Sequence, residues 1–149
     1  MVWLRRTVVE DMKHVFAVFA VAFLSLTSFA MSAESREDAA EAAASTWLKL
    51  VDTGHYDDSW DAASAYFRHK VPKSKWRAAV LGARGPLGSL KSRMLKSATF
   101  KKTLPGAPDG EYVIVQFASS FENKASAIET VTPMKDPDGT WRVSGYYIQ

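Results

Sequence analysis

Apolar side chains are spaced in three different ways along this chain. From Val15 to Leu26 they run almost unbroken, with nothing more polar than Ser25. From Ala40 to Ala83 they recur three or four positions apart, and from Tyr112 onward they alternate. A helix returns to the same face every 3.6 residues and a strand every second one, so the middle stretch reads as helices and the last as half-buried strands.

Ala40, Ala43, Ala44, Trp47, Leu48 and Val51 predict a first helix over 37–50. Asp52-Thr53-Gly54 stops it, the glycine being suited to the left-handed terminal position. A second helix is expected to begin near Asp57 or Asp58, either able to accept from the unpaired amides of a first turn. Its stripe is Trp60, Ala63, Ser64, Phe67 and Val71, and Pro72 ends it. A third follows Ser74, buries Trp76, Ala79, Val80 and Ala83, and breaks at Gly85-Pro86. Four strands are then expected at 90–103, 112–121, 126–135 and 140–148, with Met94, Ala98 and Phe100 sharing one side of the first. Turn-forming residues separate them, at LPGAPDG (104–110), at 122–125 and at Asp136-Pro137-Asp138-Gly139. About three helices followed by a four-stranded antiparallel meander make an α+β domain, the helices covering one face of a curved sheet.

A two-residue loop at Asn123-Lys124 would set Phe121 opposite Ser126, Phe117 opposite Thr130 and Val113 opposite Met134. A four-residue turn at 136–139 would set Met134 opposite Trp141 and Thr132 opposite Val143. Cross-strand partners share a face. The helix-facing side is then Val113, Val115, Phe117, Phe121, Ile128, Met134, Trp141, Val143 and Tyr147. The other, mixed side carries Tyr112, Ile114, Gln116, Glu129, Val131, Arg142, Ser144 and Tyr146, and a polar site is expected there.

The front end carries a different message. Arg5, Arg6 and Lys13 precede the apolar run, and Ser28-Phe29-Ala30-Met31-Ser32-Ala33 follows it. A basic segment, an apolar core and small residues where a peptidase cuts are the parts of a secretory signal peptide. Residues 1–33 are read so, with cleavage between 30 and 33, and the product is expected to be exported, periplasmic or secreted. Residues 15–33 carry no charge, so an uncleaved segment would be a membrane anchor. Glu10 and Asp11 are foreign to such a basic segment, whereas a start at Met12 gives a shorter and more ordinary signal. Removing 33 of the 149 residues leaves 116, enough for one domain with one core, 34–149. The 19 basic and 16 acidic residues of the whole chain fall to 16 and 14 in that product, nearly balanced, which speaks against nucleic acid as a partner. There is no cysteine, hence no disulfide, no thiol chemistry and no acceptor for a lipid.

Candidate chemistry is sparse. Glu129 is the only acid inside a predicted strand core, between Ile128 and Val131, and such a carboxylate is either a paired structural charge or an acid/base group. The expected register puts Arg142 about 13 Å along the sheet from it, so Arg93 on the first strand is the better partner. Trp47, Trp60, Trp76 and Trp141 sit at core spacing; an apolar ligand pocket is the other use of such rings. His55 and His69 lie at helix ends without a partner at metal-ligand spacing. Asp57, Asp58 and Asp61, and Asp136 with Asp138, lack the pattern and closing glutamate of a calcium loop. No phosphate loop, nucleophile elbow or paired-histidine motif occurs, and no cofactor is implied.

The segments WLKLVDTGHYDDSWDAA, KWRAAVLGARGPLGSLKSR, LPGAPDGEYVIVQF and DGTWRVSGYYI, in this order and spacing, resemble the bacterial exported family called domain of unknown function 4019. The resemblance covers roughly 39–149 and implies secretion and a small α+β domain, with no activity attached. The element order is also similar to the cone-shaped fold of nuclear transport factor 2, a scaffold of enzymes and binding modules alike. The expected function is an exported envelope module that binds a protein or a small apolar ligand. Tyr112, Gln116, Glu129, Arg142, Tyr146 and Arg93 are its candidate binding residues. The alternative is a small acid/base enzyme using Glu129 with Tyr112 or Tyr146 in an open cone.

Overall fold

Ser35 starts the first helix. Its hydroxyl accepts from the Asp38 amide at 3.1 Å while the Asp38 carboxylate accepts from the Ser35 amide at 3.4 Å, a reciprocal cap that satisfies two donors at once. The computed structural model describes residues 34–149; the signal-peptide, cleavage-site and start-codon readings fall on 1–33, outside the described residues. Four helices come first: α1 (Arg36–Asp52), α2 (Tyr56–Asp61), α3 (Ala65–Lys70) and α4 (Lys73–Arg84), then a 3-10 turn at Gly85–Leu87. Four strands follow, β1 (Leu90–Lys101), β2 (Tyr112–Phe121), β3 (Lys124–Lys135) and β4 (Trp141–Ile148), in one antiparallel sheet ordered β1-β2-β3-β4. The α+β architecture is the one the hydrophobic spacing predicts.

The expected second helix is two short ones, and Ser64 is the reason. Its amide leaves the helical ladder to donate to the carbonyl of Val143 on β4, at 2.8 Å, and its hydroxyl caps the next helix at the Phe67 amide. Asp57 and Asp58 are not caps but lie in the first turn of α2, behind His55. Gly54 does take the left-handed position, with φ of 76°.

Helix α1 crosses all four strands on one side of the sheet. Ala40, Ala44, Trp47, Leu48 and Val51 of α1, with Trp76 and Val80 of α4, close on Val113, Val115, Phe117, Val131 and Val143. Trp47 lies 5.6 Å from both Trp76 and Tyr146, centroid to centroid, and each buried tryptophan nitrogen has an acceptor: Ser59 O for Trp47, Ser59 Oγ for Trp76. Trp60 and Trp141 pack at the margin of this core, half-buried.

Both hairpins depart from the expected register, and the departures matter. The β2–β3 turn is Glu122-Asn123, so that Phe121 pairs with Lys124, and a bulge follows; Phe117 then faces Glu129, not Thr130, and Tyr112 faces Met134. A slip of one residue moves every side chain of a strand to the other face. Glu129 and Val131 therefore turn toward the helices, fully buried, and Ile128 turns away. In the β3–β4 pair a second bulge lies between Thr132 and Pro133, where the proline has no amide to give to a ladder. It reverses the facing of the end of β4: Tyr146, opposite Val131, packs inward and Tyr147, opposite Thr130, is 60% exposed. Trp141 remains on the helix side but faces Lys135 rather than Met134. On β1, Met94 is parted from Ala98 and Phe100 by an extra residue, Lys96, and points to the outer face.

Candidate functional site

Two helix ends and two strands bring together the most concentrated charge in the described residues. Asp52 closes α1 and Arg84 closes α4, each one turn beyond a core residue of its own stripe, Leu48 and Val80. Arg93 reaches in from β1 and Glu129 from β3. A carboxylate at a helix C-terminus meets the negative end of the helix dipole, so Asp52 needs cations, and it has two. Arg93 grips it through Nη1 and Nη2 at 2.7 and 3.0 Å, and Arg84 Nη2 donates at 2.8 Å.

Glu129 has no exposed surface, and two donors hold each of its oxygens. Oε1 accepts from Arg84 Nη1 at 3.0 Å and from the Tyr146 hydroxyl at 2.7 Å; Oε2 accepts from Arg93 Nε at 2.7 Å and from the Ser119 hydroxyl at 2.5 Å. Two positive and two negative charges cancel within the cluster, the condition on which buried ions are tolerated. The guanidinium of Arg84 also lies 4.5 Å from the centroid of Phe121. Burial pushes the Asp52 carboxyl up, but the hydrogen bonds from Arg93 and Arg84 outweigh it and hold it below the ordinary carboxylate range. Burial, then the negative charge of Glu129, push the Tyr146 hydroxyl well above the ordinary tyrosine range, so it stays a proton donor.

The sequence-derived candidates divide. Arg93, Glu129 and Tyr146 meet in this cluster, on the helix-facing side rather than on the mixed face where Glu129 and Tyr146 were expected. Gln116 stays on the outer face, near Ser97 and Thr130. Tyr112 stands apart, fully buried, its hydroxyl donating to Pro108 O at 2.6 Å. Arg142 is engaged with Asp136 and Asp138 at 2.8–3.0 Å. Asp57 pairs with Arg77 and Asp61 with Lys73, so each of these acids has a basic partner. Sequence reasoning missed Asp52, Arg84 and Ser119. A signal was present for two of them: Asp52 and Arg84 continue the i, i+4 stripes Ala44–Leu48 and Trp76–Val80, opposite charges at core positions of two helices.

The arrangement ties elements together and leaves no free lone pair on Glu129 for a substrate proton. Elsewhere, an open groove of about 460 Å³ runs between α1 and the start of β4, lined by Ala43, Thr46, Leu50, Ala62 and Trp141 among others. The middle of the sheet's outer face carries Met94, Ile114, Gln116, Ala118, Ile128, Thr130 and Tyr147, all uncharged, and the register row of Tyr112 and Met134 at one end adds Lys101 and Arg142.

Among curated proteins none matches this chain. A solved structure from Catenulispora acidiphila is similar at 9% identity and a TM-score of 0.49, over 74% of this chain and 88% of that one. The family model described as Protein of unknown function (DUF4019) matches residues 43–146, which takes in all four residues of the charge cluster. The chain belongs to that family.

Proposed function

We propose that the mature domain is an exported protein-interaction module of the cell envelope, working through its sheet rather than through chemistry at Glu129. The observation that carries this reading is the outer face: Met94 and Tyr147 stand 70% and 60% exposed, one on each edge strand, and the positions between them, Ile114, Gln116, Ala118, Ile128 and Thr130, carry no charge, while among the described residues the helices pack on the other side. Large apolar side chains left exposed on a stretch of sheet with no charge between them mark a place where something docks. Export rests on the signal-like segment 1–33. The cone comparison supports a binding scaffold in outline only, since here the space between helices and sheet is filled by Trp47, Trp76, Tyr146 and the charge cluster. A photo-crosslinking residue in place of Tyr147, compared with one in place of Lys49 on the solvent side of α1, tests the reading in intact cells. A defined adduct from position 147 alone is expected, lost when Met94 is changed to Glu; equal or absent adducts at both positions would overturn it. Native mass spectrometry of the same material separates a protein partner from a small apolar ligand.

A further inference from the structure

Strand β1 is an edge of the sheet, and its register with β2 shifts twice. The unpaired extra residue is Lys91 at the first shift and Lys96 at the second, both exposed. A bulge on an edge strand twists it and ends regular pairing, and a lysine there would lose hydration against an uncharged strand that added on. Between the two bulges lie four regular residues, Ser92 to Leu95. Arg93 is committed inward to Asp52 and Glu129, but Met94 and Leu95 are 70% and 53% exposed, one on each face of the sheet. A strand guarded only against pairing has no use for two large apolar side chains at the centre of its open edge.

We infer that the Ser92–Leu95 edge of β1 receives a short extended segment of a partner protein, apolar at its centre and acidic at both ends. The inference rests on the reading of the domain as an interaction module and names where and what it binds. The added strand would take main-chain hydrogen bonds from β1 and lay alternate side chains beside Met94 on one face and Leu95 on the other. Lys91 and Lys96 lie five positions apart, about 17 Å of strand, so carboxylates bracketing four to six residues would reach both. A second copy of this chain is the wrong occupant. Antiparallel pairing of two such edges about their centre sets Lys91 of one opposite Lys96 of the other, like charges directly across a ladder.

The test uses the isotope-labelled protein as purified from its host and two synthetic peptides sharing a Val-Thr-Val-Thr core, one flanked by Asp-Glu pairs and one by Lys pairs. The acidic peptide is expected to shift backbone amides of residues 90–97 and to bind about tenfold more tightly than the basic one, two exposed ion pairs being worth that much. The double variant Lys91→Glu with Lys96→Glu should reverse the preference; both side chains are exposed, and an unchanged amide spectrum elsewhere shows that the variant is folded. Shifts centred on Thr130 and Tyr147 instead would overturn the edge site while leaving the module reading intact. Absence of shifts with millimolar peptide, together with self-association of a Lys91→Thr and Lys96→Thr variant, would overturn it in favour of an edge that is only guarded.

Discussion

Arg93 on β1 places its Nε 2.7 Å from Oε2 of Glu129 on β3, reaching over the intervening strand, whose Ser119 hydroxyl donates to the same oxygen. With Asp52 and Arg84 the pair links α1, α4 and three strands through one neutral cluster. Its worth lies less in the attraction of the ions than in the cost of leaving any one of them alone.

Glu129→Gln removes one charge and leaves two guanidiniums facing Asp52. Breaking a buried pair from one side costs about 3–5 kcal/mol. Urea denaturation should show that loss, and the double variant Glu129→Gln with Arg93→Gln should lose less than the sum of its parts. Strict additivity would mean that the two side chains do not interact.

Acid should act through Asp52. Its folded-state pKa lies below the unfolded value of about 3.9, so its contribution is fully present above that value and is lost as pH falls through the folded pKa. Asp52→Asn should lower stability at neutral pH and flatten the decline over the interval below about pH 4. Thermal melts across that interval measure it, and parallel curves for the two proteins would contradict it.

The tryptophans should rank by burial. Trp47 is 3% exposed and donates to Ser59 O, so Trp47→Ala is expected to cost about 3–5 kcal/mol. Trp141 is only half-buried, beside the groove next to β4, and Trp141→Ala should cost clearly less. Denaturation midpoints that reverse this order would place the centre of the core elsewhere.

Gly88 precedes β1 with φ of 74° and ψ of −160°, a region open to glycine alone, and a Cβ there would meet the Glu122 Cβ at 2.9 Å. Gly88→Ala should cost about 1–3 kcal/mol from the backbone, and more from the contact. Gly54→Ala, with positive φ but open space around it, should cost less. Equal losses would mean that the contact is relieved without penalty.

Under the proposed export, sequencing of the recovered mature chain should find its amino terminus at Met31, Ala33 or Glu34. Each of these keeps the Ser35 cap of α1. Ablating the Met1 codon should leave export intact from Met12, and its loss would refute that start.

Spacing alone was enough for α1, α4, the order of the strands and the inner face of β2, whereas the break between α2 and α3 depends on Ser64 leaving the helical ladder for β4. The facing of β3 and β4 was not legible, because it hangs on single-residue events. A two-residue turn at Glu122-Asn123 and one at Asn123-Lys124 differ little in local preference, yet they put Glu129 on opposite sides of the sheet. Bulges at Lys91 and Lys96 have no glycine to announce them. Pro133, without an amide inside a central strand, was the one local sign that pairing must break there, and it decides which of two adjacent tyrosines reaches the charge cluster. The Arg93–Glu129 contact emerged from reach along the sheet rather than from facing. Asp52 and Arg84 were hidden because a charged residue at the end of a helix reads as solvent-facing until its stripe is extended by one more turn.

The ionic tie among Asp52, Arg84, Arg93 and Glu129 does for this domain what a disulfide does in many small exported proteins, joining segments distant in sequence, but it needs no oxidant. Closure of the fold is therefore indifferent to redox conditions. With no cysteine in the chain, no oxidative step gates folding, in the cytoplasm or outside it. A transport route that accepts only unfolded chains would have to capture this one before α1 and α4 dock on the sheet.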